Sequence, residues 1–292
     1  MNEQQGPTRR DVMKYAAAGA AGLMIGGKTM AEESQTQTRV AEKGRINHSV
    51  CRWCYKDISL DDLAKNAKAM GLVGVDLLQP SEFETVKKYG LVCTMTMSHQ
   101  IGKGLNRKEN WDECLGLIRK SLEATAAEGW KNVICFSGNR AGMADDEGMK
   151  NCAEAIKQVV GDFEKKNVTL CMELLNSKRN HHDYMCDKSK WGVELCKMVG
   201  SENFKLLYDI YHMQIDEGDV IATIKENHQY FGHYHTGGVP GRNEIDETQE
   251  LYYPAIMQAI VDTGYKGVVA QEFIPKRDPM TSLAQAIKIC DV

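Results

Sequence analysis

The sequence predicts a single α/β domain, a closed (β/α)8 barrel over residues 45–292. Three observations lead there. Short apolar runs alternate with longer amphipathic segments from residue 45 to the end of the chain. Eight such runs can be counted. The chain has 292 residues, close to the roughly 250 typical of one such barrel. Repeating strand–helix units with short connections specify a parallel sheet covered by helices. Eight units in succession favour closure over an open sheet. No G-x-G-x-x-G follows the first strand, so a dinucleotide site has no support.

The predicted strands are 46–52, 73–78, 91–97, 132–137, 168–174, 204–210, 230–236 and 267–273. They lack strict polar alternation, as expected for parallel strands buried on both faces. Helix punctuation falls between them. Ser59-x-x-Asp62 opens a helix that Gly71 closes, and Ser81-x-x-Glu84 reads as a capping box with Gly90 beyond. In such a box a hydroxyl and a carboxylate each accept from an orphan backbone N–H. Further helices are expected at 109–128, 146–165, 188–199, 218–227, 253–263 and 280–290.

Composition narrows the function. Apolar residues make up 42% and charged residues 26%, with a net charge of −4. Nucleic-acid binders usually carry a basic excess or stripe, so a small-molecule substrate is the better expectation; homo-oligomerisation is compatible with all of this. The ten cysteines are too sparse for a disulfide scaffold. Cys51-x-x-Cys54 has no second pair to complete a zinc site, so both are read as packing residues.

The N-terminus reads as an export signal. Residues 8–14, TRRDVMK, precede the apolar stretch 15–27, YAAAGAAGLMIGG. That stretch is shorter than the roughly 20 residues a membrane span needs and fits a signal-peptide core. Arg9-Arg10 resembles a twin-arginine signal. The expected division is therefore a signal at 1–31, a polar linker at 32–44 and the barrel at 45–292. The expected partner is the twin-arginine export machinery, and the expected location is the periplasm or beyond.

Active sites of (β/α)8 barrels lie at the C-terminal ends of the strands. Strand five ends at Glu173, strand six at Asp209 and strand eight at Glu272; strand seven carries His233 and His235. Each acid lies in apolar sequence, where an unpartnered carboxylate is costly. Four neighbouring strands aiming such groups at one mouth are explained economically by a cation. Three carboxylates and an imidazole form a hard, oxygen-rich set suited to Mn2+ or Mg2+, with Zn2+ and Co2+ as alternatives. His99, after strand three, and Asn176, after strand five, are candidate substrate contacts; Asn176 could instead orient Glu173.

These residues carry a resemblance. YDIYHMQIDEGD at 208–219, GHYHTGGVPGRNEID at 232–246, GYKGVVAQEFIP at 264–275 and ELLN at 173–176 resemble the hydroxypyruvate isomerase family of xylose-isomerase-like TIM barrels, to which ketose 3-epimerases are related. The resemblance implies that Glu173, Asp209, His235 and Glu272 bind the metal, and that Glu173 and Glu272 also handle the proton. It implies substrate contacts from His212 and Arg242. His at position 235 resembles the epimerases, because hydroxypyruvate isomerases often have Gln there. The expected reaction is conversion of hydroxypyruvate to tartronate semialdehyde through an enediolate, with Arg242 pairing to the substrate carboxylate as a planar fork. A ketose 3-epimerase or other sugar isomerase is the alternative. A multi-zinc nuclease would need more His and a basic face, and a non-catalytic sugar-binding module would not need an intact ligand set.

Overall fold

A computed structural model describes residues 38–292. The expected signal at 1–31 and the first part of the expected linker lie outside the described residues. Eight parallel strands close into a barrel in sequence order. They are β1 (Asn47–Cys51), β2 (Gly74–Leu78), β3 (Val92–Thr96), β4 (Asn132–Cys135), β5 (Thr169–Glu173), β6 (Phe204–Asp209), β7 (Phe231–Thr236) and β8 (Val268–Gln271). β8 pairs back onto β1, with Asn47 opposite Val268 and Val50 opposite Gln271. Each strand falls inside its predicted run. Nearly every strand position is buried, for example four of five in β5, as helices over the outer face require.

The helices are α1 (Leu60–Met70), α2 (Phe83–Lys87), α3 (Trp111–Ala127), α4 (Asp145–Lys157), α5 (Val160–Lys166), α6 (Ser189–Val199), α7 (Ile210–Asp216), α8 (Val220–Asn227), α9 (Tyr253–Asp262) and α10 (Pro279–Cys290). α1 shows how the sequence writes them. Ser59 caps its N-terminus, accepting from the Asp62 N–H at 3.0 Å. Leu63, Ala64, Ala67 and Met70 are buried on one face, at the spacing of an amphipathic helix. Gly71 ends it at φ +93°, a conformation that costs glycine little.

Three local expectations are corrected. The capping box after β2 is formed by Gln79 and Glu82 with Pro80 between them, not by Ser81 and Glu84; Glu82 Oε2 accepts from the Gln79 N–H at 2.8 Å. The segment 146–165 is two helices, α4 and α5, because Val159 leaves helical geometry at φ −127°. α7 was not expected: it begins directly at the end of β6, where Asp209 is both the last strand residue and the helix N-cap. The end of the expected linker is also attached to the barrel. The amides of Val40 and Ala41 donate to the Met70 carbonyl at 3.0 and 3.1 Å, and both residues are buried.

Candidate active site

The C-terminal ends of β5 to β8 bring four side chains together. One ligand atom each from Glu173, Asp209, His235 and Glu272 lies within 4.8 Å of the others, and all four residues are buried. The alternation of strand side chains does this: His235 stands opposite Asp209 in the β6–β7 register, and Glu272 follows the last residue of β8. His235 Nδ1 lies 2.5 Å from Glu272 Oε2 and 3.5 Å from Glu173 Oε1. Strand seven supplies His235 to the cluster, whereas His233 points to a deeper layer, 2.6 Å from Asp76. Three oxygens and one nitrogen around a common point fit a hard divalent cation.

Electrostatics separate the two glutamates. Burial, with Glu272 nearby, pushes the Glu173 carboxyl up to about 7 despite its contact with His235. Burial would raise Glu272 as well, but Arg242 and His235 outweigh it and hold that carboxyl well below the usual range. Burial also disfavours a charged His235, yet the Glu272 charge and the Asp76 hydrogen bond help to hold its pKa well above the ordinary value. Glu272 has one more partner: the Trp53 indole N–H donates to its Oε1 at 2.5 Å.

The remaining expected contacts divide. His212 lines the cavity; burial holds its pKa well below 6.5, so it is a neutral imidazole. Asn176 is fully buried and is not among the residues that line the cavity. Its amide Nδ2 lies 2.5 Å from His212 Nδ1, and its Oδ1 accepts from the amides of Arg179 and Asn180; it orients His212 rather than Glu173. His99 lines the cavity, but both ring nitrogens are turned to backbone, Nε2 accepting from the Phe136 N–H at 3.3 Å and Nδ1 lying 3.0 Å from the Lys103 carbonyl. Its role is therefore that of a wall. Arg242 is corrected most. It is expected as a free fork, yet Nη2 donates to Asp209 Oδ2 at 2.6 Å and to Glu272 Oε2, and Nη1 lies 2.7 Å from His212 Nε2. Buried carboxylates demand a counter-charge, and Arg242 supplies one.

Residues 53–290 match the family model described as "Xylose isomerase-like TIM barrel". The chain belongs to that family. A human protein named "Putative hydroxypyruvate isomerase" is 25% identical to this chain over 80% of each chain. A D-psicose 3-epimerase from Ruminiclostridium cellulolyticum is 33% identical over 41% of this chain and 39% of its own. A crystal structure titled as an AP endonuclease, family 2, from Brucella melitensis superposes with a TM-score of 0.75 at 22% identity, covering 82% of this chain and 98% of that one; at that identity the likeness is one of fold alone. The chain is thus an enzyme of an isomerase family.

Several site residues carry no chemical role from sequence alone; His181, in the loop 176–185, reads there only as part of a possible lid. Trp53 is readable only as a pocket wall or packing. Tyr211 and His181 line the cavity, and His181 stands edge-on to His212 at 5.2 Å between ring centroids. Asp76 was readable as an acid inside the apolar run VGVDLL, the same signal that marks Glu173. All ten cysteines are free and buried, including Cys51 and Cys54, in agreement with a packing role.

Proposed function

We propose that this enzyme is a metal-dependent isomerase or epimerase that moves a proton at a carbon beside a carbonyl, through an enediolate. One observation carries the reading: one ligand atom each from Glu173, Asp209, His235 and Glu272 lies within 4.8 Å of the others at one mouth, and the surroundings push the Glu173 carboxyl up and that of Glu272 down. Separated affinities are what an acid/base pair requires. A carboxylate within reach of the substrate carbon takes the proton, and a carboxylic acid returns one. Glu173, Asp209, His235 and Glu272 would hold a divalent ion, Mn2+ or Mg2+ by the hardness of the set. When bound there, the ion would supply Lewis-acid chemistry for the carbonyl and charge for a developing oxyanion. Arg242 adds positive charge on the same side, held there by Asp209, Glu272 and a neutral His212 whose Nε2 accepts from it.

Two substrate classes remain from the sequence, and specific features bear on the choice. The names of relatives support hydroxypyruvate. Two features favour a neutral ketose, epimerised at its third carbon. Arg242, the one Arg or Lys among the described lining residues, is already shared by Asp209, Glu272 and His212. The cavity, about 990 Å3, is also walled by Leu77, Met97, Phe136 and Leu175, ample for a sugar and generous for a three-carbon acid. We therefore place a ketose ahead of hydroxypyruvate. The test is turnover of hydroxypyruvate against a panel of free ketoses with Mn2+ or Mg2+, run in D2O. Ketose turnover with deuterium placed on the reacting carbon is expected. Turnover of hydroxypyruvate alone would restore the acid, and no turnover of either class would sink the isomerase reading. Export through the twin-arginine route is part of the same proposal, supported by Arg9-Arg10 ahead of an apolar stretch; the mass of the exported protein's N-terminus tests it.

A further inference from the structure

Asp76 is a fully buried carboxylate that the chemistry above does not use. It projects from β2 into the barrel beneath the ligand cluster. Its Oδ1 accepts from Ser49 Oγ at 2.5 Å and from Thr94 Oγ1. Its Oδ2 faces two imidazoles, His233 Nε2 at 2.6 Å and His235 Nε2 at 3.1 Å. Donors from β1, β3 and β7 thus surround one carboxylate. With both oxygens engaged, the plane of the group is fixed, and a buried carboxylate so hydrogen-bonded keeps its charge.

His235 is the only one of the four ligands that touches this layer. While Nε2 faces Asp76, Nδ1 points up between Glu272 and Glu173. A histidine that binds a cation gives up one ring proton and is a neutral imidazole, with one N–H and one lone pair. An acceptor at Nε2 places the proton there and leaves Nδ1 free to bind a cation. Second partners of this kind orient ligand histidines and increase their basicity.

We propose that Asp76 is a positioning residue that fixes His235 as its Nε2–H tautomer and aims Nδ1 at the divalent ion. The proposal rests on the metal reading above. Asp76 does not line the cavity, so it acts only through His235. The neighbouring group Cys51, Asp76 and His235 is a poor cation site by itself, because Asp76 already has four donors and burial keeps the Cys51 thiol protonated.

The test compares Mn2+ binding to the full wild-type chain and to Asp76→Asn by calorimetry, after stripping with a chelator. Loss of the second partner should weaken binding by roughly 10- to 100-fold; because Asn leaves buried donors around position 76 unpaired and lowers the melting temperature as well, both proteins are titrated well below the variant's melting temperature. Equal affinities would overturn the role of Asp76 alone. Absence of Mn2+ binding by the wild type would overturn the metal reading and this role with it. Two ions per wild-type chain, with one lost in Asp76→Asn, would make Asp76 a ligand and overturn its positioning role. A second measurement avoids any folding defect of the variant. In Mg2+-loaded wild type with 15N-labelled histidine, the His235 ring should carry its proton on Nε2; a proton on Nδ1 would overturn the proposal.

Discussion

Tyr253→Phe removes one oxygen and two hydrogen bonds from the segment that carries Arg242. The phenol lies at the start of α9 and is 1% exposed. Its hydroxyl accepts from the Gly237 N–H and donates to the Gly237 carbonyl, both at 2.8 Å. Gly237 is the first residue after β7, and from it the chain turns through Gly238 and the cis Val239–Pro240 bond to Arg242. The turn closes on itself, with the Gly238 N–H donating to the Asn243 carbonyl and the Arg242 N–H to the Gly238 carbonyl. Phenylalanine keeps the ring and leaves two buried backbone groups of Gly237 without that partner. Each such group costs about 1–3 kcal/mol, so the variant should lose about 2–6 kcal/mol. Urea unfolding measures it, with the midpoint falling and the slope unchanged. Because Arg242 reaches Asp209 and Glu272 from this turn, KM should rise more than kcat falls. A loss below about 1 kcal/mol would refute the reasoning, because the turn would then be held by contacts other than Tyr253.

Two further outcomes follow from particular side chains. His48, 1% exposed on β1, has its pKa lowered by burial from 6.5 to about 4, with nearby Asp291 opposing. The unfolded chain therefore binds the extra proton first as pH falls. Stability should drop between about pH 6.5 and 4, by about 3 kcal/mol from this group, and level off below; His48→Gln should remove that share of the pH dependence, and identical pH profiles would contradict it. Trp53 is 43% exposed, so Trp53→Phe should change stability by no more than about 0.5–1 kcal/mol. It removes the hydrogen bond to Glu272 Oε1, which bears on the site rather than on the fold, and kcat/KM should fall about tenfold or more; an unchanged kcat/KM would show that the Glu272 contact is idle.

The parts of this molecule legible in sequence are those written locally. Parallel strands buried on both faces are continuous apolar runs, so all eight could be read, and an acid at the end of such a run marks the mouth. Glu173, Asp209 and Glu272 were visible for that reason. α7 was hidden because Asp209 ends a strand and caps a helix in one residue, leaving no turn between them. The break at Val159 carries no Gly or Pro of its own. The engagement of Arg242 and the four partners of Asp76 are tertiary facts: Ser49, Thr94, His233 and His235 come from three other strands, and no spacing announces that they meet. Asn176 shows the same limit, since its partner His212 is 36 residues away.

The central claim is that Glu173, Asp209, His235 and Glu272 hold one divalent ion. Calorimetric titration of the chelator-stripped full chain with Mn2+ tests it most directly, run beside Glu173→Gln and Asp209→Asn. One ion per wild-type chain, bound at least about tenfold more weakly by each variant, is the predicted result. A wild-type chain that binds no ion, or variants that bind as tightly as wild type, would contradict it.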